Sequence, residues 1–113
     1  MNKFIFNNTA YVIHPKYDLY AGSADGMVIN IVKKQPMKGY KNSTGYMICM
    51  VREHGQPGQR TYYVHRFVYE CFNGIILEGK AIDHINNKRD DNRLCNLQLL
   101  TQQENCKKGD HSQ

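Results

Sequence analysis

The stretch Asp83–Asn105 reads D-H-I-N-N-K-R-D-D-N-R-L-C-N-L-Q-L-L-T-Q-Q-E-N, and its changes of pattern decide the fold of this part of the chain. Lys80 to Ile85 has the composition of a strand. Asn86 to Asn96 is rich in asparagine and aspartate, with Leu94 its one aliphatic residue, and reads as a polar loop. Leu97 to Leu100 is a second short strand. Thr101 to Glu104 spells a capping box, in which Thr101 caps a helix and Glu104 reaches back to the Thr101 amide. Asn105 then falls within the first turn and a half of that helix. The order strand, loop, strand, helix predicts a ββα unit.

This unit carries a carboxylate, an imidazole and two carboxamides at set intervals. Asp83 and His84 are adjacent, Asn96 lies twelve residues beyond His84, and Asn105 nine beyond Asn96. Phosphodiester hydrolysis needs a base that titrates near neutrality, which histidine supplies. It also needs a hard cation at the phosphate and the departing oxygen. Mg²⁺ prefers oxygen ligands and keeps several waters, so one carboxylate and one amide oxygen can hold it. A base histidine works best when its other ring nitrogen is fixed by an acceptor. Asp83 and Asn105 are thus the candidate metal ligands, His84 the candidate base and Asn96 the candidate residue that holds it. Asp83 and His84 point to opposite faces of an ideal strand, so acting on one phosphate requires a bend or bulge at the strand end. Each residue also has a plainer reading: a turn carboxylate, a surface or core histidine, a turn asparagine and a solvated helix asparagine.

Upstream, short strands alternate with turn chemistry. Ala10–His14 ends at Pro15, Asp25-Gly26 precedes the β-branched Met27–Val32, and Tyr46–Arg52 and Arg60–Val64 flank a turn at Pro57-Gly58. These segments predict an antiparallel meander. The period changes at His65–Gly74, where Phe67, Val68, Cys71 and Phe72 share one face of a short helix and read as core. Asn73-Gly74 can end that helix.

Positive charge is concentrated at the start. Residues 1–60 carry eight Lys/Arg against three Asp/Glu, whereas residues 61–113 carry seven of each. That asymmetry suits a platform for a polyanion. Lys33, Lys34, Lys38, Lys41, Arg52 and Arg60 are candidate phosphate-backbone contacts, with Tyr40 and Tyr46 as packing or stacking partners. His65 and Arg66 stand at a helix start, where backbone amides favour phosphate, although His65 equally fits a structural cap. Arg93 either contacts phosphate or braces the hairpin. The four cysteines form no C-x-x-C pair, which argues against structural zinc and for reduced thiols, with Cys49 and Cys71 in the core. The apolar run in Met1–His14 is too short to span a membrane and lacks a signal-peptide layout, so a soluble protein is expected, without membrane partners.

Four segments, H-R-F-V-Y-E-C-F-N-G (65–74), I-D-H-I-N (82–86), D-N-R-L-C-N-L (91–97) and T-Q-Q-E-N (101–105), together resemble the HNH family of ββα-metal nucleases. The closest resemblance is to the zinc-free branch found among phage-encoded homing endonucleases, and it covers about the last fifty residues. It implies that Asp83 and Asn105 bind metal, that His84 is the general base and that Asn96 orients it. Asn105 stands where the third letter of the family name has histidine. More weakly, the β-rich first half resembles the DNA-binding modules fused to such nucleases. The expectation is an α+β protein in which a β-rich basic region (1–64) and a nuclease module (65–113) form one compact unit. The resemblance implies an endonuclease using Mg²⁺ or Mn²⁺ on DNA and leaving 5′-phosphate and 3′-hydroxyl ends. One such site cuts one strand, so a monomer (or weak dimer) should nick, in the cytoplasm of a bacterial host if the chain is phage-encoded. Two alternatives remain open. One is a non-catalytic DNA-binding module with a vestigial site, and the other a nuclease acting on RNA or as a toxin.

Overall fold

The computed structural model describes residues 2–101. Five short strands open the chain: β1 (Lys3–Phe6), β2 (Thr9–Ile13), β3 (Tyr20–Ser23), β4 (Val28–Asn30) and β5 (Gln35–Met37). They pair in sequence order as one antiparallel sheet. The β1–β2 hairpin closes through Asn7 and Asn8, both at positive φ (50° and 63°), the backbone that a two-residue hairpin turn requires. A second sheet holds β6 (Tyr40–Lys41), β7 (Met47–Val51) and β8 (Arg60–Tyr63). The expected single meander is therefore split between two sheets.

Helix α1 (Val64–Asn73) follows β8 directly and ends at Gly74, whose N–H bonds the Glu70 carbonyl at 2.8 Å. It packs against β2, β3, β7, β8 and β9 (Lys80–His84), and buries Phe67 and Val68 completely. The helix lies so close to β3 that a Cβ at Gly22 would meet Cys71 Sγ at 3.2 Å and Val68 Cα at 3.5 Å. This explains the glycine at position 22 of β3, a residue that carries little strand signal. The main core cluster runs from Val12 to Leu97 and includes Cys49 and Cys71, so it draws on both sheets and the helix.

A polar knot lies inside this core. The Glu70 carboxylate is fully buried and accepts hydrogen bonds from His14 Nε2, the Tyr62 hydroxyl, Arg66 Nε and the Ile76 amide. Glu70 thereby ties the segment just after β2, strand β8, α1 and the segment after the helix to one point, and a buried charge is tolerable only with partners of this kind.

The chain then forms the β9–β10 hairpin, with β10 (Leu97–Thr101) antiparallel to β9. Between the strands runs a polar loop, closed by a single 3-10 turn over Leu94–Asn96. Thr101 is the last strand residue, opposite Lys80. The helix expected after it, with Glu104 and Asn105, lies outside the described residues. Among the described residues no helix is long and apolar enough to cross a membrane.

Candidate active site

The end of β9 carries Asp83 and His84, 1% and 3% exposed. They sit in different settings, as strand alternation requires. Asp83 lies opposite Gln98 on β10, and its Oδ2 accepts from Gln98 Nε2 at 2.8 Å. The His84 ring packs against His65 at 4.8 Å and Tyr46 at 6.0 Å between centroids. Its Nε2 lies 2.8 Å from Asn92 Oδ1. With the amide oxygen facing the ring, Nε2 carries a proton and donates it to Asn92.

The carboxamide that holds His84 is therefore Asn92. Asn96 is turned to the loop instead: its Oδ1 accepts from the Asn86 amide at 3.1 Å, and its Nδ2 donates to Asn86 Oδ1 and the Asp91 carbonyl, both at 2.9 Å. Its own carbonyl accepts from the Ile85 amide at 2.8 Å. Asn96 thus fixes the two ends of the loop, and Asn92 within that loop meets the imidazole. Spacing alone could not separate them, because both are carboxamides of one polar segment.

Arg93 turns back on its own loop. Its Nε and one terminal nitrogen bond the two oxygens of Asp91 at 2.8 and 2.7 Å. This contact, with help from Asn86, holds the Asp91 carboxyl well below the usual carboxylate range. Arg89 reaches out of the loop, donating to the Thr44 carbonyl at 2.6 Å and lying over the Tyr46 ring at 4.9 Å. Nothing in the sequence singled out Arg89.

His65 is buried in the first turn of α1, among the rings of Tyr46, Tyr63 and His84. Burial, then the neighbouring His84 and Arg66, push its pKa down to about 3. Its Nδ1 is buried without a hydrogen-bond partner. A neutral, enclosed imidazole offers no charge to a phosphate, so the structure places His65 against the His84 ring and not at the surface. A cavity of about 230 Å³ opens beside it, with Arg66 and Lys80 in its lining. Lys33, Lys34, Arg52 and Arg60 are exposed, the first two in the β4–β5 turn and Arg60 at the start of β8.

The donors gathered at the hairpin are a carboxylate, carboxamides and an imidazole. Among the described residues no group of three His, Cys, Asp or Glu forms a ready metal cluster. A buried carboxylate oxygen does suit a hard ion that brings its own waters, so Asp83 fits a Mg²⁺ or Mn²⁺ ligand. Its expected partner Asn105 is outside the described residues.

Residues 62–107 match the family model described as HNH endonuclease. The SPbeta prophage-derived protein YosQ of Bacillus subtilis (strain 168), whose name places it among HNH homing endonucleases, is 31% identical over 80 residues, covering 71% of this chain and 46% of YosQ. The solved structure described as DNA binding and cleavage by the HNH homing endonuclease I-HmuI superposes with a TM-score of 0.69 at 26% identity. That match covers 96% of this chain and 57% of the other. The chain thus spans about half the length of the relatives it matches. In sequence and in its α+β architecture, the chain belongs to the HNH endonuclease family.

Proposed function

We propose that the protein is a metal-dependent endonuclease that hydrolyses DNA phosphodiester bonds and nicks as a monomer. The observation that carries this is the His84 imidazole, fixed through Nε2 by Asn92 at 2.8 Å and adjacent in sequence to the buried carboxylate of Asp83. The imidazole takes the proton from the attacking water, whose oxygen forms the new bond to phosphorus as the bond to the 3′ oxygen breaks. Asn92 keeps the ring in the required tautomer and orientation. Asp83, with Asn105, would hold Mg²⁺ or Mn²⁺, which when bound supplies charge stabilisation to the phosphate and the leaving oxygen. The products on this route are 5′-phosphate and 3′-hydroxyl ends. Exposed Lys33, Lys34, Arg52 and Arg60, with Arg66 and Lys80 beside the His65 cavity, supply positive charge for the DNA backbone.

The test uses supercoiled plasmid with purified protein, in Mg²⁺ or in EDTA, beside His84→Ala. Open circle without linear product, abolished by EDTA and slowed about 10²–10⁴-fold in His84→Ala, is expected. Retained wild-type cleavage in His84→Ala would remove the base assignment. DNA binding with no cleavage under Mg²⁺ or Mn²⁺ would leave a binding module with a vestigial site.

A further inference from the structure

We propose that the turn between β3 and β4 is part of the catalytic apparatus: Gly26 is a positioning residue that seats the loop backbone at Asn92 and so aims the His84 imidazole. This rests on His84 acting as the base.

Gly26 has φ +89°, and a Cβ built there would lie 2.8 Å from both the carbonyl carbon and the carbonyl oxygen of Asn92, and 3.2 Å from the Arg93 amide nitrogen. Those are backbone atoms, which cannot swing aside as a side chain can. Two residues earlier in the turn, the Ala24 carbonyl accepts from the Leu94 amide at 2.8 Å. The turn thus grips the loop on both sides of Arg93, at the segment whose Asn92 side chain bonds His84. The turn itself is stiff: Ser23 Oγ accepts from the Met27 amide at 3.1 Å, and the Gly26 amide bonds the Ser23 carbonyl at 3.0 Å.

A second turn grips the other end of the loop. Arg89 donates to the Thr44 carbonyl at 2.6 Å and covers Tyr46, whose ring packs on His84. The ion pair between Lys41 and Asp90 lies at the same end, but both groups are about half exposed and it adds little. The amino-terminal sheets therefore do more than offer charge to DNA, because they set where the base points. Adding one methyl group at Gly26 must move the Asn92 backbone, and a displaced orienting partner costs about 10–100-fold in rate.

The experiment compares Gly26→Ala with Gly58→Ala. Gly58 has nearly the same φ (+82°) but nothing within 4 Å of its would-be Cβ, so it isolates backbone strain from contact with the loop. Gly26→Ala should lower kcat for plasmid nicking about 10–100-fold with KM and DNA affinity unchanged. Gly58→Ala should stay within about twofold of wild type, as surface changes do. Gly26→Asn is the second variant, since asparagine tolerates positive φ while still carrying the Cβ into Asn92. Imidazole ¹⁵N spectra give a readout independent of cleavage: the His84 resonances in the Gly26 variants should shift toward those of Asn92→Ala. Equal loss in Gly26→Ala and Gly58→Ala, or His84 resonances unmoved in the Gly26 variants, overturns the proposal. A wild type that never cleaves would sink the nuclease reading, while the ¹⁵N comparison would still decide whether the turn sets the ring.

Discussion

Replacing Glu70 with glutamine removes one acceptor from a buried point where four donors meet. Oε1 accepts from His14 Nε2 at 2.9 Å and from the Tyr62 hydroxyl, while Oε2 accepts from the Ile76 amide at 3.2 Å and Arg66 Nε at 3.3 Å. An amide keeps one acceptor oxygen. If that oxygen stays toward His14 and Tyr62, the buried Ile76 N–H faces another donor, which costs about 1–3 kcal/mol. The two surviving bonds lose their charge assistance, about 1 kcal/mol each. Arg66 is 44% exposed and its loss adds little. Glu70→Gln should therefore lower the unfolding free energy by about 3–5 kcal/mol at pH 7, measured by urea denaturation followed by circular dichroism. The acid limb gives a second check. Burial raises the Glu70 pKa, but the bonds from His14, Tyr62 and Ile76 outweigh it and hold the group below its ordinary 4.5. A depressed carboxylate stabilises the fold fully above its unfolded value, and that contribution disappears as pH falls through the folded value. The difference between wild type and variant should then hold from pH 7 to about 5 and close below about 4.5. A variant within about 1 kcal/mol of wild type at pH 7, less than the loss of a single buried acceptor, would refute the reasoning. So would a gap that widens on acidification.

The two loop asparagines should differ in effect. Asn92→Ala should lower plasmid nicking about 10–100-fold, and because it leaves the buried His84 Nε2–H without this acceptor it should also cost about 1–3 kcal/mol in stability. Asn96→Ala gives up three hydrogen bonds that close the loop and should cost about 1.5–4 kcal/mol in thermal denaturation. Gly22→Ala should destabilise the fold by about 1–3 kcal/mol, with part of the loss recovered in the Gly22→Ala/Cys71→Ala double variant, since Cys71 Sγ is the nearest obstacle. Alkylation of the native protein, read by peptide mass spectrometry, should label exposed Cys95. Cys49, whose thiol burial pushes up to about 12, and Cys71, raised for the same reason, should react only in urea.

The hairpin bearing Asp83 and His84 was legible because its two short strands flank a loop dense in turn formers. Helix α1 was legible from Phe67, Val68, Cys71 and Phe72, three of which the structure buries in the core. Strand β3 was not, because Ala21, Gly22 and Ser23 carry little strand preference and Gly22 is set by the helix lying on it. Sequence spacing points to Asn96 as the partner of His84, whereas the ring bonds Asn92, because spacing cannot show which way a carboxamide turns in a loop held by both neighbouring turns. His65 reads in the sequence as a phosphate contact or a structural cap at a helix start, yet the ring is enclosed by Tyr46, Tyr63 and His84, and two of these come from distant parts of the chain that local pattern cannot show. Asn105 and residues 102–104 of the capping box lie outside the described residues, and the metal role of Asn105 rests on the family resemblance.

Helix α1 falls wholly inside the 62–107 family match, yet the strand it lies against most closely is β3, forty residues before it. The motif is therefore not a portable cassette. Transplanted to another scaffold, it would arrive with Phe67, Val68 and Cys71 bare and with Glu70 stripped of His14, an ionised group beside an uncovered apolar face. Any host would have to offer a strand of small residues at the place of Gly22 and a donor at the place of His14. The inner strands of the first sheet must therefore change together with the helix that lies on them.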